Sequence, residues 1–145
     1  MTAKEYLEQA YKLDLRINSK LEQLESLRSL TQKVTASYDY QPVSHTHNVS
    51  SLEDSILRLI DAEKELNAAI DALVDLKVKI AASIACVENL DYQILLEKRY
   101  ISFRSWEEIA VDLRCSVRWV HTLHGRALQV FQQLLDEKEI SNGLL

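Results

Sequence analysis

The residues of this chain whose types and spacing suit chemistry lie close together. Arg118, Trp119, His121, Thr122 and Arg126 fall on one side of a segment whose other side carries Val120, Leu123, Ala127 and Leu128 at helical spacing. Arginine's planar fork can donate to O6 and N7 of one guanine together, and a tryptophan can touch a thymine methyl or stack on a sugar. The chemistry this set suits is recognition. His121 and His124, three apart, have a spacing that could share a metal ion, but no Cys, Asp or Glu stands at a companion position in the segment. His45 and His47, two apart in a polar stretch, read as solvated. No Gly-rich phosphate loop, nucleophile elbow or paired catalytic carboxylates can be read, and the acidic residues follow the outer faces of long helical patterns. The expectation is a non-enzyme with no cofactor and no metal.

Two short elements must position these side chains. A helix over residues 106–113 opens with the capping box Ser105-x-x-Glu108, whose hydroxyl and carboxylate satisfy free amides at the helix start. After a three-residue turn, Ser116 is placed as the N-cap of the second helix. Arg114 stands in the turn where many such units carry Gly to accept a left-handed backbone. The result is a helix-turn-helix, in which the outward face of the second helix enters the DNA major groove. A preceding helix over residues 92–101 presents Ile94, Leu95, Tyr100 and Ile101, with Phe103 just beyond, and these close a small three-helix core.

On Leu96, Arg99, Tyr100, Ser105, Trp106, Glu108, Ile109, Ala110, Leu113, Ser116, Val120, Leu123, Ala127 and Leu128, the last third of the chain resembles region 4 of bacterial sigma factors. With a long helical half in front of it, the chain looks like the phage-encoded transcriptional regulators of the ArpU and RinA type. The resemblance implies a sequence-specific DNA-binding regulator, an activator of late phage genes acting with the host RNA polymerase. It implies that Val117, Arg118 and Thr122 reach base edges while Trp119, His121 and Arg126 flank them along the sugar-phosphate backbone. Ser105, at a helix start, would lie near a phosphate. By the same resemblance part of the residue 92–101 surface would touch polymerase. The residues of the sigma regions that melt promoter DNA are not read here, so an activator or sigma-like accessory is expected rather than a complete sigma factor. Trp119 departs from the sigma pattern, where a polar or basic residue is usual. It either contacts DNA or packs on residues 95–103.

The formal charge of −5 opposes a nucleic-acid partner, but it is unevenly spread. Residues 1–89 carry 10 basic and 14 acidic side chains, residues 90–135 carry 6 and 5, and an acidic tail over residues 136–145 carries 1 and 3. Between Leu113 and Leu135 stand three arginines and no acid. The segment free of negative charge is therefore the one aimed at phosphates, although the same pattern also suits a solvated basic face.

With two glycines and one proline in 145 residues, the chain is expected to be all-α. A capping box Thr2-x-x-Glu5 opens a long helix whose apolar positions run from Leu7 through Ile17, Leu21, Leu24 and Leu30 to Val34. Residues 37–50 read as a loop, on Asp39, Pro42, Asn48 and their hydroxyl residues. A second box, Ser50-x-x-Glu53, is expected to open a second helix through Ile56, Leu66, Ile70, Leu73, Ile80, Ile84 and Val87, ending over residues 89–91. The organisation is thus a long antiparallel hairpin over residues 1–89, a helix-turn-helix module over 90–135 and the tail.

A lone helix pair has one seam, yet Leu15, Ile60, Ala69, Val74 and Val78 lie beside it. Residues 1–89 are therefore expected to form a homodimer, with another protein such as RNA polymerase as the other possible cover. Cys86 and Cys115 fall within helical patterns and read as small buried thiols. No secretory leader or apolar run of membrane length is read, so a reducing cytoplasm and no membrane are expected. Two other readings stay open: an adaptor that binds polymerase or a host factor without reading DNA, and a structural coiled-coil protein whose helix-turn-helix is a packing unit.

Overall fold

A computed structural model describes the backbone of residues 1–40 and 45–143, and the side chains of residues 1–33 and 51–143. The chain is all-α: α1 Ala3–Tyr40, α2 His45–Ile84, α3 Leu90–Tyr100, α4 Trp106–Leu113 and α5 Val117–Gly143, with no strand among the described residues. None of these helices is long and apolar enough to cross a membrane.

Local chemistry explains most helix starts. At α1, the Glu5 amide donates to Thr2 Oγ1 (3.2 Å) and the Thr2 amide to the Glu5 carboxylate (3.0 Å), a closed capping box. At α3, Asn89 Oδ1 accepts from the amides of Asp91 and Tyr92. At α4, Ser105 and Glu108 form the second box reciprocally. At α5, Ser116 Oγ accepts from the Trp119 amide at 3.1 Å.

Several expectations on the long helices are corrected. The loop expected over residues 37–50 is largely helical, since α1 runs through Tyr40 and α2 begins at His45; residues 41–44 lie outside the described residues. Ser50 is therefore not a helix start. Ser, Thr, Asn and Asp cost at most about 0.7 kcal/mol each inside a helix, which neighbouring turns readily absorb. The other end of α2 errs in the opposite direction, because the helix stops at Ile84 rather than near Asn89. Val87 is buried, at 2% exposure, but from the connection after the helix, and Asn89 starts α3 rather than ending α2. The acidic tail is no separate segment: α5 continues through it to Gly143. Neither cysteine is a helical, buried thiol. Cys86 is exposed in the turn after α2, and Cys115 is half-buried in the turn between α4 and α5, both of them free.

The chain divides into two compact units. One contains Met1–Lys12 and Leu73–Leu145, the other Leu13–Ala72. The three-helix module is thus larger than residues 90–135, since it takes in the first helical turns of the chain and the last part of α2. Within this unit α3, α4 and α5 pack on one another. Leu7, Ile80, Ile84, Leu95, Leu96, Ile109, Val120 and Phe131 form its fully buried centre. Each such side chain contributes about 1.5–3 kcal/mol by leaving water. Polar ties hold the start of α1 in place: the Ala3 amide donates to Gln132 Oε1 at 2.6 Å, and the Tyr6 and Ser83 hydroxyls are 3.1 Å apart. Tyr6 also lies against Phe131, with ring centroids 5.8 Å apart.

In the unit Leu13–Ala72, α1 and α2 are linked by the ion pairs Lys20–Glu65 (3.3 Å) and Arg28–Glu63 (3.1 Å). Among the described residues of this unit, Ile17, Leu24 and Leu66 are buried. Leu21, Leu30, Ile56 and Ile70, expected in the seam, are 39–54% exposed, as is Ile60 beside it at 42%. A pair of helices hides one narrow stripe from each, and a position a quarter-turn from it stays in water.

Candidate functional site

The three residues between α4 and α5 set the geometry of the candidate site. Arg114 adopts φ 54°, ψ 46°, the left-handed conformation expected at this position, and its amide bonds back to the carbonyls of Ala110 and Val111. Cys115 follows, its amide bonded to Ala110 O at 3.0 Å, and Ser116 starts α5. Ile109 and Ala110 of α4 and Val120 of α5 are buried, which fixes the opposite side of α5 toward solvent.

That solvent side holds most of the residues singled out from sequence. Arg118, His121, Thr122 and Arg126 are exposed, as are Ser116 and Arg114. Among the described residues, Arg114 and Arg118 have no ion-pair partner. Thr122 Oγ1 donates to Arg118 O at 3.2 Å, within the helix. Trp119 is 45% exposed, and the Arg126 guanidinium lies over its ring, 5.3 Å from the centroid. Of its two readings, burial against residues 95–103 is therefore not what the structure contains. Val117 is half-buried and lines a shallow, open groove with Val111 of α4, which is 75% exposed.

Glu107 lines the same groove, and two other acids of α4 are engaged within the chain. Asp112 accepts from Lys98 Nζ at 3.0 Å, and Glu108 serves the Ser105 cap and stands 3.7 Å from Arg104. The exposed arginines of α5 thus keep their charge outward while part of the α4 charge is neutralised.

Ser105 and His121 also have partners within the chain. The Ser105 amide donates to Glu108 Oε2 at 3.3 Å and its hydroxyl accepts from the Glu108 amide. Both groups are used internally, so Ser105 offers no free amide to a phosphate. The His121 ring lies 4.8 Å from the Trp106 ring, tied sideways into an aromatic cluster.

This cluster was not legible as a site. Trp106 takes the Arg99 guanidinium over its face at 4.1 Å and meets the His124 ring edge-on at 4.7 Å. His124 Nε2 is 2.6 Å from Tyr100 Oη. Burial, assisted by the positive charges of Arg99, Lys4 and His121, lowers the His124 pKa to about 4. Burial, with the Glu8 charge adding to it and Arg99 opposing, raises that of Tyr100 to about 12. At neutral pH a neutral phenol and a neutral imidazole therefore share one hydrogen bond. The helical spacing of His121 and His124 goes to ring packing, and among the described residues no three His, Cys, Asp or Glu side chains converge as a metal site.

Tyr100 and Trp106 border a cleft of about 420 Å³ that Lys4, Glu8, Tyr11 and Phe103 also line. The only sequence signal for this set was Arg99, Tyr100 and Trp106 within the sigma-like pattern. Lys4 and Tyr11 come from the other end of the chain and carried none. No protein-family model, curated protein or solved structure matches this chain.

Proposed function

We propose that the protein is a sequence-specific DNA-binding transcriptional regulator that lays the exposed face of α5 in the major groove. The observation that carries this reading is the free guanidinium of Arg118 on the outward face of a capped helix, within a segment of three arginines and no acid. Arg118 is the first choice for reading guanine, Thr122 is its neighbour at the base edges, and Arg126 with Trp119 suits the sugar-phosphate backbone. The resemblance to sigma region 4 supports a role beside the host RNA polymerase, as an activator of late phage genes.

The exposed Ile56, Leu57, Ile60 and Ile70 of the unit Leu13–Ala72 support a homodimer, in which a second copy covers them. An isologous dimer would present two α5 faces to a two-fold or repeated site.

Fluorescence anisotropy on duplex DNA at several salt concentrations tests the reading. Each phosphate neutralised steepens the slope of log affinity against log salt by about 0.9. The expected outcome is a slope of roughly −2 to −3 per protomer, and Arg118→Ala weakening the selected site by about 1–3 kcal/mol. A flat salt response overturns it in favour of a protein-binding adaptor, and an unchanged affinity for Arg118→Ala removes Arg118 from the reading role. Sedimentation of Ile60→Lys tests the dimer, with a monomer expected.

A further inference from the structure

The cleft bordered by Trp106 is a built cavity that recognition of DNA by α5 does not use. Its volume, about 420 Å³, lies within the range of about 300–1,000 Å³ usual for small-molecule sites. Tyr11, Phe103 and Trp106 supply its aromatic lining. The Tyr11 and Phe103 rings meet edge to face with centroids 5.6 Å apart, and Tyr11 is 48% exposed, so its ring remains open to a further partner.

Two cations and one acid border the same space, Lys4 and Arg99 with Glu8. The Lys4–Glu8 pair is loose, at 3.9 Å, and the Lys4 side chain is 62% exposed. Its ammonium is thus free to turn to an anion. Arg99 is held in place by Trp106 and by one bond from Nη1 to Arg104 O at 3.0 Å, which leaves most of its five N–H donors. The Tyr100–His124 pair satisfies itself and adds no charge at neutral pH. The cleft is therefore aromatic with a net charge of +1.

Phe103 adds an independent observation. It holds φ 55°, a left-handed conformation that costs a non-glycine residue on the order of 1 kcal/mol. Strained residues persist where the surroundings over-determine them, and they cluster at binding sites. Here the turn bonds Ser102 N to Glu97 O and Arg104 N to Lys98 O, and Lys77 Nζ sits 4.5 Å over the Phe103 ring. The turn places the Phe103 ring in the lining of the cleft.

We propose that this cleft binds a small planar aromatic monoanion, its ring against Tyr11 and Phe103 and its carboxylate shared by Lys4 and Arg99. The proposal does not depend on DNA binding. It is tested by titrating the full chain with 2-naphthoate while following the Trp106 indole N–H and the Tyr11 and Phe103 amides by NMR. Uncharged 2-naphthamide and cationic 2-naphthylmethylamine serve as controls. The expected result is a saturable shift of those signals by 2-naphthoate, with the amide weaker by at least about tenfold and the amine inert. Lys4→Ala and Tyr11→Ala, both at exposed positions, should each weaken 2-naphthoate by about tenfold while the melting temperature stays within a few degrees of the parent. No saturable shift up to about 10 mM, equal binding of acid and amide, or unchanged binding in both variants overturns the proposal.

Discussion

The two compact units are built from similar helices but pack them very differently. Among the described residues of the unit Leu13–Ala72, α1 and α2 have only each other to pack on, and the best buried, Leu24, is 3% exposed while Leu57 and Leu30 are more than half exposed. In the unit of both termini, every core helix segment meets several others, and eight large side chains fall below 2%. The apolar period of α1 and α2 runs through both. The number of neighbours decides how much of it is used, because an apolar side chain counts only for the area another element covers.

The comparison can be broken most directly at its two centres. Phe131→Ala should destabilise the chain by about 3–5 kcal/mol, since the hole has closed walls and cannot collapse. Leu24→Ala should cost about 2 kcal/mol, near the low end for leucine, because the two-helix seam can close around it or admit water. Equilibrium denaturation of the two variants measures both. A Leu24 penalty equal to that of Phe131 would show that the long unit has a hidden covering partner, as the proposed homodimer supplies.

A smaller effect separates the units by pH. The folded His124 pKa, about 4, lies below its ordinary value near 6.5, so folding favours the neutral ring. This contribution to stability is complete above pH 6.5 and is lost as pH falls toward 4. On the scale of about 1.4 kcal/mol per pKa unit the full shift corresponds to about 3.5 kcal/mol, which solvent screening at the partly exposed ring reduces to the order of 2–3 kcal/mol. His124→Gln should flatten that part of the stability profile between pH 7 and pH 4. An identical profile in the variant would mean that the fall comes from other groups.

The smallest expected effect concerns the turn that sets α5. Arg114 adopts a conformation that glycine takes without penalty, so Arg114→Gly should raise stability by up to about 1 kcal/mol, or a few degrees in melting temperature. A lower melting temperature would mean that the arginine side chain itself supports the turn.

Helical class and caps were legible because they are local. Thr2 with Glu5, Ser105 with Glu108, and Ser116 act within one turn of the chain, and each makes the bond its spacing implied. The left-handed Arg114 was legible for the same reason. The outward set on α5 followed from the apolar period, which buried Val120 and Ala127 and so pointed Arg118, Thr122 and Arg126 to water. Helix ends were read less well. Polar residues at 37–50 looked like a loop although each penalises a helix only slightly, while Val87 prolonged the apolar rhythm beyond the true end of α2.

What the amino-acid sequence alone determined is therefore what neighbours along the chain decide: the all-α class, the capped starts, the turn and the basic outward face. Only the tertiary structure brought Lys4, Glu8 and Tyr11 to the cleft beside Trp106, and set the Tyr100 hydroxyl against His124. It also left Ser105 with no free amide and both thiols outside the core. Such pairings depend on which surfaces bury each other across long separations in the chain, and helical periodicity says that a face must be covered without saying by what.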